Sequence, residues 1–345
     1  MKKLFLKVLK IVGISFGAVV GVLVLLIAAA YFLFDRRQEA YPITWGVSFD
    51  PYYTQRLGLD WKKTYLALLD DLKVDHLRLV AFWDKVEPKK DQFDFTDLDF
   101  QVQEAEKRGV KLVIAAGRRL PRWPECYVPE WAQGLSENKQ QEEILDFLPQ
   151  VVNRYKNSPA LEVWQVENES FVIFFTGNCP PLEESFLDKE ISLVGELDPF
   201  HRVMITESGE GSIWFKASGK TDILGVSLYR VIYVNKPPWE GYYDYFLPVE
   251  LFQVKANFWR ALGRIKEIWV TELQGEPFLP DPITPGTSLA DFYRSMSPEQ
   301  FQKNLKFARA TGFDHFYLWG AEWWVYMKEK MDVPFFYEEA KKLWQ

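Results

Sequence analysis

Eight apolar runs separated by amphipathic helical segments are the feature of this chain that most restricts its fold. Each run reads as a buried parallel strand. The runs begin near Thr44, His76, Lys111, Leu161, Arg202, Ile223, Glu267 and Asp314. Between them, residues 61–72 and 97–108 have the apolar periodicity of helices, and Gly109 is suited to end the second one. The alternation predicts an α/β fold of the (β/α)8 TIM-barrel type.

A doubly wound open sheet is the structural alternative to a closed barrel. The chain has no glycine-rich phosphate-binding turn after its first strand run, and no change of composition marks a second domain. Its length of 345 residues fits one barrel with loop insertions. We therefore assign residues 43–345 to a single barrel domain.

The residues before the barrel differ from the rest in charge. Residues 1–10 form a basic stub, residues 11–34 carry no charged side chain, and residues 35–42 read as a linker. A membrane-spanning helix needs about 20 apolar residues, so the run 11–34 predicts one transmembrane anchor. The lysines before it place the N-terminus in the cytoplasm and the barrel on the extracytoplasmic side of the cell membrane. The alternative is a signal peptide cleaved within residues 28–30, which would release a secreted barrel.

Charge and composition restrict the possible partners. The net charge is -7, and no basic run occurs beyond the N-terminus, so nucleic acid is not an expected partner. The few cysteines and histidines lack metal-ligand spacing and no phosphate loop is present, so we expect neither metal nor cofactor. Aromatic residues form 17% of the chain, which suits the binding of flat, weakly charged ligands as well as core packing. The oligomeric state is left open.

Two glutamates at strand ends form the candidate catalytic pair. Glu169 follows the fourth run and Glu272 lies at the end of the seventh, and a barrel brings both ends to one central mouth. Two such carboxylates can divide the roles of acid/base and nucleophile in glycoside hydrolysis. The alternative is that they are solvated loop acids, the commonest kind of carboxylate. For most of the remaining acids we expect solvation; these are Glu87, Glu167, Glu207, Glu210, Glu276 and Glu322.

Short motifs around these glutamates resemble those of the clan A glycoside hydrolases, which are retaining (β/α)8 enzymes. Residues 164–169 (WQVENE) look like the strand-four motif of that clan, and residues 269–272 (WVTE) look like its strand-seven motif. The resemblance implies that Glu169 is the acid/base and Glu272 the nucleophile. It further implies that Asn168 binds the sugar 2-hydroxyl.

Other residues acquire expected roles from the same resemblance. Arg78 and Tyr229 would donate hydrogen bonds to the nucleophile, which favours its charged form. Trp319 would form the floor of the central sugar subsite, with core packing as the alternative. Trp83 would support substrate binding. Six further tryptophans in loop regions are candidates for lining an extended cleft: Trp123, Trp131, Trp214, Trp239, Trp323 and Trp324.

The sequence also departs from the clan pattern. Cellulase-type members carry a histidine two residues before the strand-six tyrosine, and here that position is Ser227. The exact family is therefore left open.

Cys126 and Cys179 follow strands three and four, on adjacent corners of the same face, where a disulfide and two free thiols are both possible.

The function that this resemblance implies is that of a glycosidase. It would cleave β-glycosidic bonds in an oligo- or polysaccharide by double displacement, with retention of configuration. Two alternatives stay open, namely a transglycosylase that uses the same intermediate and a carbohydrate-binding barrel without catalysis. The motifs do not distinguish exo from endo action.

Overall fold

The computed structural model describes residues 42–173, 179–284 and 286–345, together with isolated positions before residue 42. The strands of this part of the chain are β1 (Thr44–Ser48), β2 (His76–Phe82), β3 (Lys111–Gly117), β4 (Leu161–Val166), β5 (Arg202–Glu207), β6 (Ile223–Leu228), β7 (Val231–Val234), β8 (Gly241–Asp244), β9 (Glu267–Gln274) and β10 (His315–Trp319). Within the described ranges, eight of them close into a parallel barrel in the order β1-β10-β9-β6-β5-β4-β3-β2. The predicted (β/α)8 barrel is thus confirmed.

Helices cover the outside of the barrel and connect its strands. Those described are α1 (Pro51–Arg56), α2 (Trp61–Asp70), α3 (Trp83–Val86), α4 (Thr96–Arg108), α5 (Glu137–Tyr155), α6 (Glu184–Leu197), α7 (Val249–Ala261), α8 (Leu289–Tyr293), α9 (Pro298–Ala310), α10 (Ala321–Lys330) and α11 (Phe335–Lys341). Local chemistry determines where two of these helices begin or end. The Asp60 carboxylate accepts the first free N–H groups of α2, and Gly109, at φ 68°, ends α4 in the left-handed conformation.

The predicted element boundaries lie close to the observed ones. Apart from the last strand, which begins at His315 rather than Asp314, each predicted run begins where its strand begins. The predicted helices 61–72 and 97–108 are observed as Trp61–Asp70 and Thr96–Arg108. These segments carry their own periodicity, so their positions depend little on the rest of the fold.

A small apolar cluster forms one part of the core. Its members are Val113, Val163, Met204, Ile223, Trp269 and Tyr317, all at 0% exposure. Gly46 makes room for one of these rings, because a Cβ on that residue would lie 2.7 Å from the Tyr317 side chain. A second, larger cluster joins the remaining strands to the helices.

The predicted membrane segment, residues 11–34, lies outside the described residues except for isolated positions, as do residues 1–10 and 35–41. Nowhere in the described part does a helix have both the length and the apolar character needed to cross a bilayer.

Two features organise the loops at the carboxyl ends of the strands, the face that carries active sites in such barrels. A disulfide joins Cys126 to Cys179, with their Cα atoms 5.1 Å apart, and so connects the loops after β3 and β4. After β6, the antiparallel hairpin β7–β8 extends the connection to α7.

Candidate active site

Glu272 lies on β9 directly after a bulge in the barrel wall. Val270 pairs with Val226 of β6, but the next pair is Ser227 with Glu272, so β9 has one extra residue at Thr271. The register between β9 and β10 shifts in the same place. A bulge changes the alternation of side chains along a strand and often occurs beside an active site. It brings the Glu272 carboxylate, 7% exposed, to the mouth of the barrel.

Two donors hold the Glu272 carboxylate. Arg78 donates from Nη1 to Oε1 at 3.0 Å, and the Tyr229 hydroxyl donates to Oε2 at 3.0 Å. The Arg78 side chain is fully buried, and its other N–H groups donate to Gln165 Oε1 at 2.8 Å and Asn168 Oδ1 at 2.9 Å. One guanidinium therefore ties β2, β4 and β9 together and fixes the carboxylate. The two hydrogen bonds hold both carboxylate oxygens in place.

Asn168 has only its amide NH2 left for a ligand. Its Oδ1 accepts from Arg78 and, at 3.1 Å, from the Thr206 hydroxyl. Thr206 Oγ1 in turn accepts the Glu169 backbone N–H at 2.7 Å. These bonds fix the end of β4, and the NH2 group is suited to donate to a hydroxyl of a bound sugar.

Glu169 has a different environment from Glu272. Its carboxylate accepts a hydrogen bond from the Ser227 hydroxyl at 2.7 Å, and no ion pair to it is found among the described residues. Burial, followed by the nearby charge of Glu272, raises the pKa of Glu169 to about 7, against the smaller opposing effect of Ser227. A carboxyl with this pKa still carries a proton near neutral pH, as a general acid must.

Glu167 connects the same loop to the loop after β3. Its buried carboxylate accepts the backbone N–H groups of Arg118 at 2.7 Å and Arg119 at 2.6 Å. Gly117, at φ 142°, makes this approach possible, because a Cβ there would lie 2.5 Å from Glu167 Oε1. Glu167 itself has φ 57° and Glu169 has φ 43°, conformations that non-glycine residues rarely adopt. Such strain is typical of functional loops.

Comparison with known proteins gives one family match, several curated relatives and several similar solved structures. The glycoside hydrolase 42 family model, described as beta-galactosidase, matches residues 52–189. Mannan endo-1,4-beta-mannosidase F of Aspergillus fumigatus is 29% identical over 123 residues, which are 33% of this chain and 27% of that protein. Native xylanase 10B from Thermotoga maritima shares 16% identity at a TM-score of 0.56, with 87% of this chain and 95% of that chain covered. The exo-beta-1,4-mannosidase Op5Man5 from Opitutaceae bacterium strain TAV5 shares 15% identity at a TM-score of 0.54, with 81% and 52% covered.

The chain spans about a quarter of the length of the curated relatives it matches. The likeness to the solved structures is one of fold, and that fold is the closed parallel barrel described above. The family match and the shared barrel confirm the resemblance seen in the short motifs. The chain is thus similar to the clan A glycoside hydrolases in its motifs, in the matched part of its sequence and in its barrel fold.

The barrel buries most of the acids that we expected to be solvated. The expectation was wrong for Glu87, Glu167, Glu207, Glu276 and Glu322, each of which is at most 7% exposed, whereas Glu210 is partly buried. Donors in the fold account for this burial, such as the Trp83 indole N–H, which donates to Glu87 Oε2 at 2.8 Å.

Several predicted cleft aromatics belong to the core of the barrel instead. Trp83 has no exposed surface, and its ring meets Trp131 at 5.8 Å between ring centroids, so its predicted role in substrate support is corrected to packing. Trp214, Trp323 and Trp324 are also fully buried, and Trp131 is partly buried. Of the six predicted cleft tryptophans, those that stay largely exposed are Trp123 at 64% and Trp239 at 68%.

The loop after β3 contributes two charged side chains that the sequence analysis did not identify. The Arg122 guanidinium carbon lies 4.3 Å from the centroid of the Trp319 ring. That ring, which was predicted to form the floor of the central sugar subsite, is 8% exposed. On the same loop, burial and then the charge of Glu169 raise the pKa of Glu125 to about 8. The sequence signals near these two residues were Trp123 and Cys126.

Proposed function

We propose that this barrel is a retaining glycoside hydrolase that cleaves β-glycosidic bonds in an oligo- or polysaccharide. The observation that carries the proposal is the unequal environment of the two carboxylates. Glu272 accepts from a buried arginine and a tyrosine, whereas Glu169 accepts from a neutral serine and has a raised pKa. One carboxyl suited to attack and one suited to donate a proton are what double displacement requires.

In the first step, Glu169 gives its proton to the glycosidic oxygen as the bond from that oxygen to the anomeric carbon breaks. A Glu272 carboxylate oxygen forms the new bond to the anomeric carbon. In the second step, the Glu169 carboxylate takes a proton from water, the water oxygen attacks the anomeric carbon, and the bond to Glu272 breaks. The sugar leaves with its original configuration. Retention requires the two carboxyl groups to lie about 5–5.5 Å apart, and this is the separation that the proposal expects for Glu169 and Glu272.

Alanine variants of the full-length chain test the two roles. Glu272→Ala should abolish turnover. Glu169→Ala should lose activity on unactivated glycosides but keep it on 2,4-dinitrophenyl glycosides, whose leaving group needs little proton donation. Azide should then give Glu169→Ala a glycosyl azide of retained configuration and Glu272→Ala one of inverted configuration, as NMR can show.

The matched control is Glu142→Ala, which removes an exposed carboxylate of α5 that pairs with Lys139. Its rates should equal those of the unchanged chain. Full activity of Glu272→Ala or Glu169→Ala on unactivated glycosides would contradict the role assigned to that residue. Transfer of the sugar to an added alcohol or saccharide in place of water would identify a transglycosylase. Binding of sugars without turnover would instead favour the non-catalytic barrel.

The first substrates to test are β-1,4-linked. The curated relatives are named as mannan endo-1,4-beta-mannosidases, and the matching family model is described as beta-galactosidase. We therefore propose β-mannosides and β-galactosides as the first two substrate classes. A chromogenic screen with the full-length chain would rank them.

We also propose that residues 11–34 anchor the barrel to the extracytoplasmic face of a membrane. The uncharged run and the basic residues before it support this placement. The disulfide between Cys126 and Cys179 supports export, because such bonds persist in oxidising compartments. Cleavage of a signal peptide and secretion of the barrel is the alternative.

A further inference from the structure

The two ends of a bound saccharide lie on different sides of the catalytic pair. The acid/base protonates the glycosidic oxygen, so the leaving group lies on the side of Glu169 and β4. The sugar under attack extends away from β4, and we call this second side the glycone side. Around the closed barrel, β10, β1 and β2 follow β9 in that order. Arg78 on β2 donates a hydrogen bond to Glu272 on β9. Side chains at the ends of β10 and β1 therefore border the glycone side.

Arg122 crosses from the loop after β3 into this region. Its guanidinium carbon lies 3.7 Å from the ring centroid of Tyr53 and 4.3 Å from that of Trp319. Tyr53 belongs to α1, which follows β1, and Trp319 ends β10. The arginine is only 9% exposed. It therefore occupies space against the Trp319 ring that would otherwise be open to a ligand.

Three carboxylates hold the guanidinium there. Arg122 Nη1 donates to Glu276 Oε1 at 2.8 Å, Nη2 lies 3.5 Å from Glu322 Oε2, and Nε lies 3.5 Å from Asp50 Oδ2. All three carboxylates are at most 7% exposed. Moving the arginine out would leave these buried acids without their cation, which is strongly unfavourable.

The backbone of Arg122 is fixed as well. Its carbonyl oxygen accepts from the Tyr127 hydroxyl at 2.8 Å and from the Glu125 N–H at 2.8 Å. The disulfide to Cys179 begins at Cys126, four residues further along the chain. The side chain and the backbone of Arg122 are thus both restrained. Arg122 therefore forms a fixed wall against a bound sugar.

Little space remains beside this wall. The cavity lined by Arg78, Arg122, Trp319 and their neighbours holds about 10 Å³, roughly the room of one water molecule. Arg122 Nε, Glu276 Oε2 and Glu322 Oε2 are buried and have no hydrogen-bond partner among the described residues. Two of these atoms, Arg122 Nε and Glu322 Oε2, take part in the ion pairs that hold the arginine, so they belong to the wall itself.

We propose that Arg122 closes the glycone side behind a single sugar, so that the enzyme releases monosaccharides one at a time from the non-reducing end of its substrate. This inference rests on the proposed function. It distinguishes exo from endo action, which the sequence motifs leave open. It also assigns Arg122 as the residue that determines this specificity.

The test follows the first products of hexasaccharides labelled at the reducing end. The probes are β-1,4-linked manno-, gluco-, xylo- and galacto-hexaose, incubated with the full-length chain and analysed by chromatography at low conversion. Exo action should give a labelled pentasaccharide as the first product from whichever probe is cleaved. Arg122→Ala should shift the first products toward labelled tetrasaccharide and trisaccharide, because the glycone side is then open to more than one sugar.

The matched control is Arg154→Ala on α5. Arg154 also pairs with a carboxylate, that of Asp99, and lies over an aromatic ring, that of Phe95, but on the outside of the barrel. Its products should equal those of the unchanged chain.

The outcome for the unchanged chain decides the inference even if Arg122→Ala fails to fold. Labelled trisaccharide or tetrasaccharide among its first products would overturn the inference and leave the proposed function intact. A folded Arg122→Ala that still gives only pentasaccharide would overturn the role of Arg122. Absence of cleavage of these probes and of all chromogenic glycosides would overturn the proposed function, and the inference with it.

Discussion

Replacing Ser227 with alanine should move the pH dependence of the first chemical step. The Ser227 hydroxyl donates to Glu169 Oε1 at 2.7 Å and so stabilises the ionised carboxylate. A hydrogen bond to a charged group contributes about 1.5–3 kcal/mol, and one pKa unit corresponds to about 1.4 kcal/mol. Glu169 is partly open to solvent, so the lower end of that range applies. The pKa of Glu169 should rise by about one unit in Ser227→Ala.

The sign of the effect follows from the role of Glu169 as the acid. The carboxyl must be protonated in the first step, so kcat/KM falls as the pH rises through its pKa. In the unchanged chain this fall should centre near the pKa of about 7. In Ser227→Ala it should centre about one unit higher, so the variant keeps more of its activity at alkaline pH.

The assay compares kcat/KM across pH for 4-nitrophenyl and 2,4-dinitrophenyl glycosides. The second substrate needs little proton donation, so its profile should show a much weaker fall. Ser158→Ala is the control, because Ser158 also donates to a glutamate, Glu106 at 2.6 Å, but lies before the start of β4 at the opposite end of the barrel. A fall in kcat/KM that stays in place or moves to lower pH in Ser227→Ala would refute the assignment of Glu169.

Three further predictions concern the scaffold. Replacing Cys126 and Cys179 together by serine should lower the free energy of unfolding by up to roughly 4 kcal/mol, because the bond closes a loop with a sequence separation of 53; denaturant unfolding measures this, and an unchanged midpoint would contradict it. Gly117→Ala should cost about 2 kcal/mol or more, since its Cβ would lie 2.5 Å from Glu167 Oε1; an unchanged Tm would show that this carboxylate is not fixed. If residues 11–34 are an anchor, the full-length chain should stay in carbonate-washed membranes, whereas a soluble form that begins beyond residue 30 would indicate a cleaved signal.

The barrel could be predicted because each strand carries its own signal. An apolar run such as that of β4 is readable without knowledge of its neighbours, and its start at Leu161 coincides with the observed strand. The positions of Glu169 and Glu272 followed from the same reasoning, since the carboxyl ends of parallel strands share one face of a barrel. The bulge at Thr271 was not predicted, because it depends on the register with β6 and β10.

The side chains that surround the catalytic pair were harder to predict. Arg122 and Glu125 lie in a loop without periodicity, whose path depends on the Cys126 disulfide and on a turn held by Tyr127. The burial of the loop acids was hard to predict for the same reason, because it depends on contacts between residues far apart in sequence. A carboxylate is expected in solvent unless donors are known, and the donors to Glu167 are backbone N–H groups 48 and 49 residues away in sequence.

The departure at Ser227 has a physical consequence that the sequence alone could not supply. A histidine at this position, as in cellulase-type members, would add a cation below its pKa of about 6.5, and a cation beside Glu169 would favour the ionised carboxylate. The neutral hydroxyl of Ser227 opposes the effect of burial less than a cation would. The charge of Glu272 adds to the effect of burial, and the pKa of Glu169 stays near 7. The proton needed for the first step is therefore kept by burial and by the charge of the nucleophile.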